Sequence, residues 1–383
     1  MILPGQTIGV LGGGPIGRML AQAAQTLGYR VHLFDPDGPC PAGATANREI
    51  NSPYDDLPAL REFARQADVI TCAFENIPAD PLNAIAPIAP LLPRVEVLHV
   101  CQNRQREKAW LRANGFPQVR YAEALDGDIA SMIGQVGRPC VVKTADFDHD
   151  GRGQMKITSD ADLEHAAAIF RGRRCIMERW VDFSCEVSVI VARSRAGEIR
   201  AFPLAENIHT RQVLDFSIVP ARVSAGITRE AVQMTIAMAE KLGIVGLLAA
   251  EMFVMPAGDV LVNELAPRPH NSGHWTLNGC ETSQFEQHLR AVCGLPLGSV
   301  SVRKPTVMVN ILGDAWFARR EGQGAVGARR EPHWFAILGE PSAKLHLYGA
   351  GEPRAGRRMG HFTVSAADIE TAMGRAKELQ ELL

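Results

Sequence analysis

Apolar and polar positions follow a strand–helix–strand order along the first hundred residues. Apolar runs of four to seven residues predict buried strands, and apolar residues at helical spacing predict the helices between them. The predicted strands are 7–11, 30–34, 68–74 and 96–100, with helices at 18–27 and within the proline-rich segment 77–93. This alternation predicts a Rossmann-like α/β domain over residues 1–102.

The pattern changes after a strongly helical segment at 102–115. Strands and helices then follow one another without strict alternation, which favours an α+β domain over residues 103–305. The predicted strands are 140–143, 154–157, 175–178, 186–192, 247–254 and 260–262, and the helices are 160–170 and 229–242. Short strands at 307–312, 344–348 and 361–364 and a closing helix from 366 predict a small β-rich unit over 306–383.

Composition narrows the class of protein. The 383 residues suffice for two or three domains, and 46% hydrophobic content supports large cores. A net charge of −2 gives no electrostatic argument for nucleic acid or an anionic membrane as a partner. The apolar runs are shorter than a spanning helix needs, the N-terminus lacks a signal-peptide pattern, and eight scattered cysteines favour reduced thiols. We therefore expect a cytoplasmic enzyme or binding protein.

Two predicted strands each contain an acid. Glu251 lies in the middle of an apolar strand, and Glu264 follows the apolar run Val260-Leu-Val262 after one residue, Asn263. A carboxylate in a buried strand is costly unless it is paired or metal-bound, and hard oxygen ligands suit Mg²⁺. Arg268 lies close enough in sequence to hold a phosphate beside such an ion. The alternative, that both acids are paired with arginines, stays open on these residues alone.

A glycine-rich loop follows the first strand. Gly12, Gly14 and Gly17 have the G-x-G-x-x-G spacing, and Asp35 ends the next strand. Taken alone, this fingerprint indicates NAD, although such glycines serve any ligand phosphate at a helix N-terminus. Glu75 follows a later strand, at the end where parallel sheets bind ligands.

Further candidates lie in the middle region. Lys143 ends a buried strand, and a glycine-containing loop follows at 150–154. From the end of this strand, Lys143 could reach a nucleotide phosphate. Glu178 and Glu186 could accept hydrogen bonds from an adenine amino group or ribose hydroxyls, although each alone is more often a surface acid.

The order of these motifs is more specific than any one of them. A glycine-rich βαβ unit precedes a Gln-x-Arg-x-x-Glu-Lys helix, a Val-Val-Lys strand, an Asp-Gly-Arg-Gly-Gln loop and the two acids with Asn-Glu-x-x-x-Arg. That order resembles the ATP-grasp superfamily and, over nearly the full length, its family of N5-carboxyaminoimidazole ribonucleotide synthetases of the PurK type. The matching segments are 12–20, 74–78, 104–108, 207–209, 263–268, 270–276, 284–286 and 359–361.

The resemblance implies an architecture and a reaction. We expect a Rossmann-like (pre-ATP-grasp) domain over 1–102, an ATP-grasp domain over 103–305 with a lid at about 115–185, and the small C-terminal domain. ATP would phosphorylate bicarbonate, and the amine of 5-aminoimidazole ribonucleotide would be carboxylated, in de novo purine biosynthesis, with release of ADP and phosphate. Mg²⁺ is the implied cofactor, and a homodimer is the family tendency.

The resemblance also implies roles for individual residues. For ATP they are Lys108, Lys143, Glu178, Glu186 and His209; for Mg²⁺, Glu251 and Glu264; and for the transferring phosphate, Asn263 and Arg268. His270 and His274 would lie near the aminoimidazole. The ribose and the 5′-phosphate would be held by Glu75, Gly14 and Arg357, with Asn271 and Ser272 also binding substrate, and this role displaces NAD from the glycine loop. His149 and Arg152 are expected to take part in catalysis.

Several positions depart from the family pattern. Phe147, Asp148 and His149 replace a Gly-Gly-Tyr portion, Asp215 replaces an arginine, and Ala350 replaces a lysine. Two alternatives therefore stay open. One is a paralogue that uses ATP on a different amine, and the other is a nucleotide-binding protein with little catalysis.

Overall fold

The structure, a computed structural model, describes residues 1–124, 128–146, 153–317 and 328–383. In these ranges the strands are β1 (Thr7–Leu11), β2 (Arg30–Asp35), β3 (Arg48–Asn51), β4 (Val69–Cys72), β5 (Tyr121–Ala124), β6 (Cys140–Thr144), β7 (Gln154–Ile157), β8 (Cys175–Arg179), β9 (Cys185–Arg193), β10 (Ile199–Ala201), β11 (Ala205–Thr210), β12 (Val213–Val219), β13 (Gly246–Val254), β14 (Val260–Ala266), β15 (Thr306–Leu312), β16 (Ala343–Leu347) and β17 (Arg358–Ser365).

The helices cover the outside of the sheets and connect them. They are α1 (Pro15–Thr26), α2 (Leu57–Arg65), α3 (Ala79–Ile85), α4 (Val95–Cys101), α5 (Arg104–Ala113), α6 (Ile129–Val136), α7 (Asp160–Ile169), α8 (Ala225–Leu242), α9 (Thr276–Gly279), α10 (Gln284–Cys293), α11 (Trp334–Leu338) and α12 (Ile369–Leu382). None of the helices in the described ranges has the length and apolar character to cross a membrane.

The N-terminal region is a parallel sheet of order β3-β2-β1-β4. Strands β1 and β4 are fully buried, as expected when helices cover both faces of a parallel sheet, whereas the edge strand β3 is partly exposed. The predicted Rossmann-like α/β start is therefore confirmed. The strand predicted at 96–100 is wrong, because this segment lies in α4. Val95, Leu98 and Cys101 are buried three residues apart, which is the spacing of one helix face.

A large, mainly antiparallel sheet forms the centre of the molecule, in the order β14-β13-β9-β11-β12-β15-β17-β16, with β10 beside β9. The strands of the predicted small C-terminal unit, β15, β16 and β17, continue this sheet. The connection is the antiparallel pairing of Phe216–Val219 in β12 with Thr306–Val309 in β15. The limits predicted for the three domains remain predictions.

A second, smaller antiparallel sheet has the order β5-β8-β6-β7. Helices α6 and α7 cover one side of it, and its core includes Met132, Val142 and Phe170. This sheet falls inside the segment predicted as a lid. Lys143 and Glu178 lie on its neighbouring strands β6 and β8.

Candidate functional site

A β-bulge places two carboxylates opposite each other on the central sheet. Met252 pairs with Val262, but Glu251 pairs with Glu264, so Asn263 is an extra residue without a partner in β13. Val262 and Leu265 both face the hydrophobic core beneath α8. Without the bulge, Glu264 would share the face of Val262, because side chains alternate along a strand. The bulge therefore turns Glu264 to the same face as Glu251.

The electrostatics of this pair favour a cation. Burial and the nearby Glu264 raise the pKa of Glu251. Within the described residues, the His270 Nε2 lies 3.6 Å from Oε1 of Glu251, and neither Glu251 nor Glu264 pairs with an arginine. The alternative of arginine pairing thus finds no support in these ranges. The same ranges contain no cluster of three or more candidate metal ligands, so the protein alone offers two carboxylates.

Two consecutive residues of α5 bind the outer edge of β14. The Lys108 ammonium donates to the carbonyl oxygen of Asn263 at 3.0 Å, and the Glu107 carboxylate accepts from the Leu265 amide at 2.9 Å. These contacts flank Glu264 on both sides and fix its backbone. Glu107 was not predicted as a site residue, although it precedes Lys108 in the Glu-Lys motif. Burial and Glu264 raise the pKa of Glu107 to about 8.

Lys108 and Lys143 share one buried carboxylate. The Glu178 oxygens lie 3.1 Å from the Lys108 ammonium and 2.6 Å from that of Lys143. Burial disfavours the charged form of Glu178, but the two lysines outweigh burial and lower its pKa to about 2. The lysines predicted to contact ATP phosphates are therefore brought together. Glu178 is their counter-ion in this structure, and its predicted contact with adenosine stays a prediction.

Glu186 and His209 lie on the same face of the sheet as the acid pair, on the strands β9 and β11. The His209 Nδ1 is 3.0 Å from the Glu186 carboxylate. Burial lowers the pKa of His209, but the hydrogen bond to Glu186 and the charge of Glu251 outweigh it, and the net shift is upward. A second β-bulge, between Ile208 and His209, interrupts the register of β11 with β12 at this point.

Arg268 connects the acid pair with the N-terminal region. Its guanidinium forms a bidentate ion pair with Glu75, with 2.8 Å between Nη2 and Oε1, and its Nη1 donates to Pro269. Burial opposes the charge of Glu75, yet Arg268 lowers its pKa. Two residues predicted for different substrates, the phosphate and the ribose, thus occupy one ion pair between two regions of the chain.

A buried glutamine holds both predicted histidines. Gln284 accepts from the His270 amide at 2.9 Å, donates to the His270 carbonyl at 2.7 Å and lies 3.0 Å from the His274 Nδ1. Burial and Arg268 lower the pKa of His270 to about 3, and burial places the pKa of His274 well below its usual value. Both rings are therefore neutral. Gln284 was missed as a site residue, although it begins one of the motif segments.

Asn271 and Ser272 follow in a 3₁₀ turn beside these histidines. The side-chain amide of Asn271 is 3% exposed, and neither of its polar atoms has a hydrogen-bond partner among the described residues. A buried amide without partners is costly unless a ligand or water satisfies it. This observation favours the predicted role of Asn271 in binding substrate.

The glycine loop leaves room for a ligand at Gly14, and it binds the carboxylate of Asp35. A Cβ at Gly17 would lie 2.1 Å from the Gly12 carbonyl oxygen, so the helix requires glycine there, whereas a Cβ at Gly14 would meet open space. The Asp35 carboxylate accepts a hydrogen bond from the Gly13 amide. The acid that suggested NAD is therefore engaged by the loop itself.

Of the remaining residues singled out in the sequence, Asp215 aside, two lie within the described ranges and four do not. Arg357 is exposed, and its Nη1 donates to the Glu352 carbonyl at 3.2 Å. Ala350 is buried in the N-terminal core. Phe147, Asp148, His149 and Arg152 lie outside the described residues.

Asp215 is the extra residue of the bulge in β12, because Ile208 pairs with Phe216 and His209 with Leu214. Its carboxylate accepts from Thr210 at 2.8 Å and from Gln380, on the last helix, at 2.6 Å. Asp215 therefore connects β12 with that helix.

Comparisons with known proteins agree with this geometry. Three family profiles match in sequence along the chain: the ribonucleotide synthetase preATP-grasp domain at 5–102, the ATP-grasp domain at 109–285, and the phosphoribosylaminoimidazole carboxylase C-terminal domain at 306–375. The fold and the site together define an ATP-grasp enzyme, that is, an ATP-dependent ligase.

Relatives of full length identify the family. An N5-carboxyaminoimidazole ribonucleotide synthase of Bacillus subtilis is 45% identical over 95% of this chain and 92% of its own length. The crystal structure of an ADP complex of a PurK-type synthetase has a TM-score of 0.91 at 41% identity, covering 99% and 97% of the two chains. An Aspergillus clavatus synthase in complex with ADP and 5-aminoimidazole ribonucleotide has a TM-score of 0.89 at 30% identity, covering 99% and 98%. The chain belongs to the N5-carboxyaminoimidazole ribonucleotide synthase family.

Proposed function

We propose that this chain carboxylates 5-aminoimidazole ribonucleotide with ATP and bicarbonate, releasing ADP and phosphate. The observation that carries the proposal is the acid pair Glu251–Glu264 on one face of the central sheet, flanked by Lys108 and by His270. The Aspergillus relative, crystallised with ADP and 5-aminoimidazole ribonucleotide, gives the class of substrates.

The acid pair fits Mg²⁺. Two facing carboxylates raise each other's free energy, and Mg²⁺ is commonly held by one or two carboxylates together with substrate phosphates and water. Glu251 and Glu264 would hold the ion, which supplies charge neutralisation for ATP. Asn263 would stay in contact with Lys108 through its carbonyl, so that the position of Glu264 is kept when nucleotide binds.

The nucleotide side uses exchangeable charges. Lys143 would turn from Glu178 toward the ATP phosphates, and Lys108 would contact them from its position at the Asn263 carbonyl. Glu178 and Glu186 would face the adenosine, with His209 supporting Glu186. A lysine with a buried counter-ion stays charged. The phosphate then takes the place of the Glu178 carboxylate as the anionic partner of the lysine.

The acceptor side holds the second substrate. Glu75 would bind the ribose, while Gly14 and Arg357 would bind the 5′-phosphate, with Asn271 and Ser272 near the base. A bicarbonate oxygen attacks the γ-phosphorus and ADP leaves. The exocyclic amine then attacks the carboxyl carbon of carboxyphosphate, or the CO₂ released from it; phosphate departs and the amine loses one proton. Arg268 would steady the transferring phosphate, and positioning of the reactants carries most of the rate.

The test is ADP release from the purified protein with ATP, Mg²⁺ and bicarbonate, with and without 5-aminoimidazole ribonucleotide. ADP release that depends on 5-aminoimidazole ribonucleotide and on bicarbonate supports the proposal. ADP release that does not respond to 5-aminoimidazole ribonucleotide would indicate a different amine acceptor. ATP binding without release would indicate a nucleotide-binding role, and either of these outcomes overturns the proposal.

We also propose a homodimer in the cytoplasm, on the family resemblance. Light scattering after size-exclusion chromatography at micromolar concentration separates a dimer of about 83 kDa from the 41.6 kDa chain. A single species at the mass of one chain contradicts the dimer.

A further inference from the structure

A chain of hydrogen bonds runs through the sheet to the ring of His270. The Ser272 hydroxyl lies 2.9 Å from the His270 Nδ1, and the Ser188 hydroxyl lies 2.8 Å from that of Ser272. The Asn207 amide nitrogen is 2.9 Å from the Ser188 hydroxyl, and the Ser217 hydroxyl is 2.9 Å from the Asn207 amide oxygen. None of the four residues beyond His270 is more than 4% exposed, so water does not compete for these groups.

A backbone amide shows the polarity of this chain. The N–H of Ser272 points to the His270 Nδ1 at 3.4 Å, and a backbone N–H can only donate. The His270 Nδ1 must therefore be an acceptor and carries no hydrogen. A doubly protonated ring would direct an N–H against this amide, and the neutral ring with hydrogen on Nδ1 would do the same.

The remaining bonds follow from this one constraint. Because Nδ1 accepts, the Ser272 hydroxyl donates to it and accepts from Ser188. The Ser188 hydroxyl then accepts from the Asn207 NH₂ group, which leaves the Asn207 oxygen to accept from Ser217. Each of these bonds then has one donor and one acceptor. Only one orientation of the Asn207 amide is compatible with them.

The ring hydrogen of His270 consequently lies on Nε2, on the side of the acid pair. Nε2 is 3.6 Å from the Glu251 oxygen, and Gln284 fixes the backbone of His270 on both its N–H and its carbonyl. A ring held in this tautomer offers a hydrogen-bond donor to an anionic oxygen and no lone pair for removing a proton from the amine.

We propose that Asn207, Ser188 and Ser272 are positioning residues that hold His270 as the Nε2–H tautomer, so that the ring donates to an oxygen of bicarbonate or of the carboxyl group being transferred. This inference rests on the proposed function for the identity of that oxygen. The tautomer itself rests on the geometry of the hydrogen bonds alone.

The direct measurement is a long-range ¹H–¹⁵N spectrum of protein labelled with ¹⁵N-histidine, without substrates. The His270 signals are assigned by their loss in His270→Gln. We expect the Nδ1 of His270 to have the shift of an unprotonated nitrogen and Nε2 that of a protonated one. A protonated Nδ1 in the unmodified protein overturns the inference, with no variant needed.

Asn207→Asp separates polarity from packing, because the two side chains have the same shape. The carboxylate accepts from the Ser188 hydroxyl and withdraws it from Ser272. We expect a measurable population of the other tautomer and a kcat about tenfold lower, with the KM for ATP unchanged, since supporting residues of this kind typically contribute 10- to 100-fold.

Ser188→Ala and Ser217→Ala form a matched pair of equal volume change. Ser188 lies between Asn207 and His270, whereas Ser217 lies beyond Asn207. We expect Ser188→Ala to lower kcat about tenfold and Ser217→Ala to change it less than about threefold. Equal losses in both variants with an unchanged His270 tautomer would show a structural role only and overturn the inference.

The failure of the proposed function would look different. A protein that releases no ADP in response to 5-aminoimidazole ribonucleotide would refute that function, yet the spectrum of His270 would still report the tautomer. The two results are therefore read independently.

Discussion

The two halves of the site are built from different interactions. On the side proposed for the nucleotide, Lys108, Lys143 and Glu178 form a buried cluster of full charges beside the acid pair. On the side proposed for the acceptor, His270 and His274 are neutral rings held by Gln284 and by buried hydroxyl groups. The first arrangement accepts a change of partner, because one anion can replace another. The hydrogen-bonded arrangement around the histidines fixes each donor and acceptor in one direction, so a change of partner would leave a buried polar group unpaired.

The difference shows where each kind of interaction is useful. A nucleotide adds several negative charges, so the nucleotide side benefits from cations that are already desolvated and compensated. The acceptor side must present a neutral group in one orientation to a small reacting carboxyl group, and a hydrogen-bond chain provides that orientation. Substitutions can therefore act on one side through charge and on the other through geometry.

The largest effect is expected from Glu264→Gln. This change removes one of the two proposed Mg²⁺ ligands and should lower ATP turnover roughly a thousandfold, corresponding to about 4 kcal/mol of transition-state stabilisation. It also removes the repulsion between Glu251 and Glu264, so the variant should be at least as stable toward urea as the unmodified protein. ADP release and urea unfolding measure the two effects.

The matched control is Glu281→Gln, which changes an exposed acid paired with Arg303 on the surface. Its turnover should stay within a factor of two of the unmodified protein. If Glu264→Gln retained full turnover, Glu264 would not be a metal ligand and the charged half of the site would need another explanation.

Much of the charged half was predictable from local sequence. Glu251 and Glu264 stand in apolar strands, and the spacing of Val260, Val262 and Leu265 already breaks strict alternation by one residue, which is the mark of the bulge. The partners of Glu178 were not predictable. Lys108 is 70 residues away on a helix of another region, and only the packing of the small sheet against that helix brings the charges together.

The neutral half was harder to predict. Gln284, Asn207 and Ser188 are ordinary polar residues with no pattern that marks them as partners of a histidine. Their roles follow from the register of β9 with β11 and from the turn at 271–273, and both are tertiary features. The wrong strand at 96–100 has a simpler cause, since a short apolar run fits a strand or a buried helix equally well.

Glu178→Gln is expected to have the next largest effect. It leaves two buried lysines without their counter-ion, which should lower the free energy of unfolding by about 3 kcal/mol. ATP should restore more stability to the variant than to the unmodified protein, because its phosphates supply the missing negative charge. Urea unfolding with and without Mg·ATP measures both quantities.

The comparison variant is Glu198→Gln, which breaks an exposed pair with Arg200 and should cost less than about 1 kcal/mol. Equal stabilisation of Glu178→Gln and the unmodified protein by ATP would show that the lysines do not face the nucleotide.

A smaller effect should appear as a pH dependence carried by buried neutral histidines. His288 links β4 to β13 through Thr71, at 2.7 Å, and the Leu247 amide, at 3.2 Å, and burial lowers its pKa to about 3. In the unfolded chain a histidine binds a proton below pH ~6.5. Stability from the neutral ring is therefore complete above that pH and is lost as the pH falls from about 6.5 toward 3.

Each such histidine should contribute a slope on the order of 1 kcal/mol per pH unit in this window. Urea unfolding between pH 7.5 and 5.5 tests this expectation, and His288→Gln should reduce the slope by about one proton. His165→Gln, at an exposed position of α7, is the control and should leave the slope unchanged. A slope that does not respond to His288→Gln would exclude this ring as a source of acid sensitivity.

The smallest effect is expected from Asp215→Asn, and it bears on the boundary between the two halves. Asp215 changes the charge of the family pattern close to His209, which would matter if its carboxylate faced the acceptor. Its oxygens are instead bound by Thr210 and Gln380, on the side of α12. An asparagine keeps the oxygen that accepts from one of them, so kcat and both KM values should stay within about twofold, with a loss of stability below about 1 kcal/mol. A tenfold change in the KM for 5-aminoimidazole ribonucleotide would mean that this bulge contributes charge to the acceptor side, and that substrate selection in this chain differs from that of its relatives at Asp215.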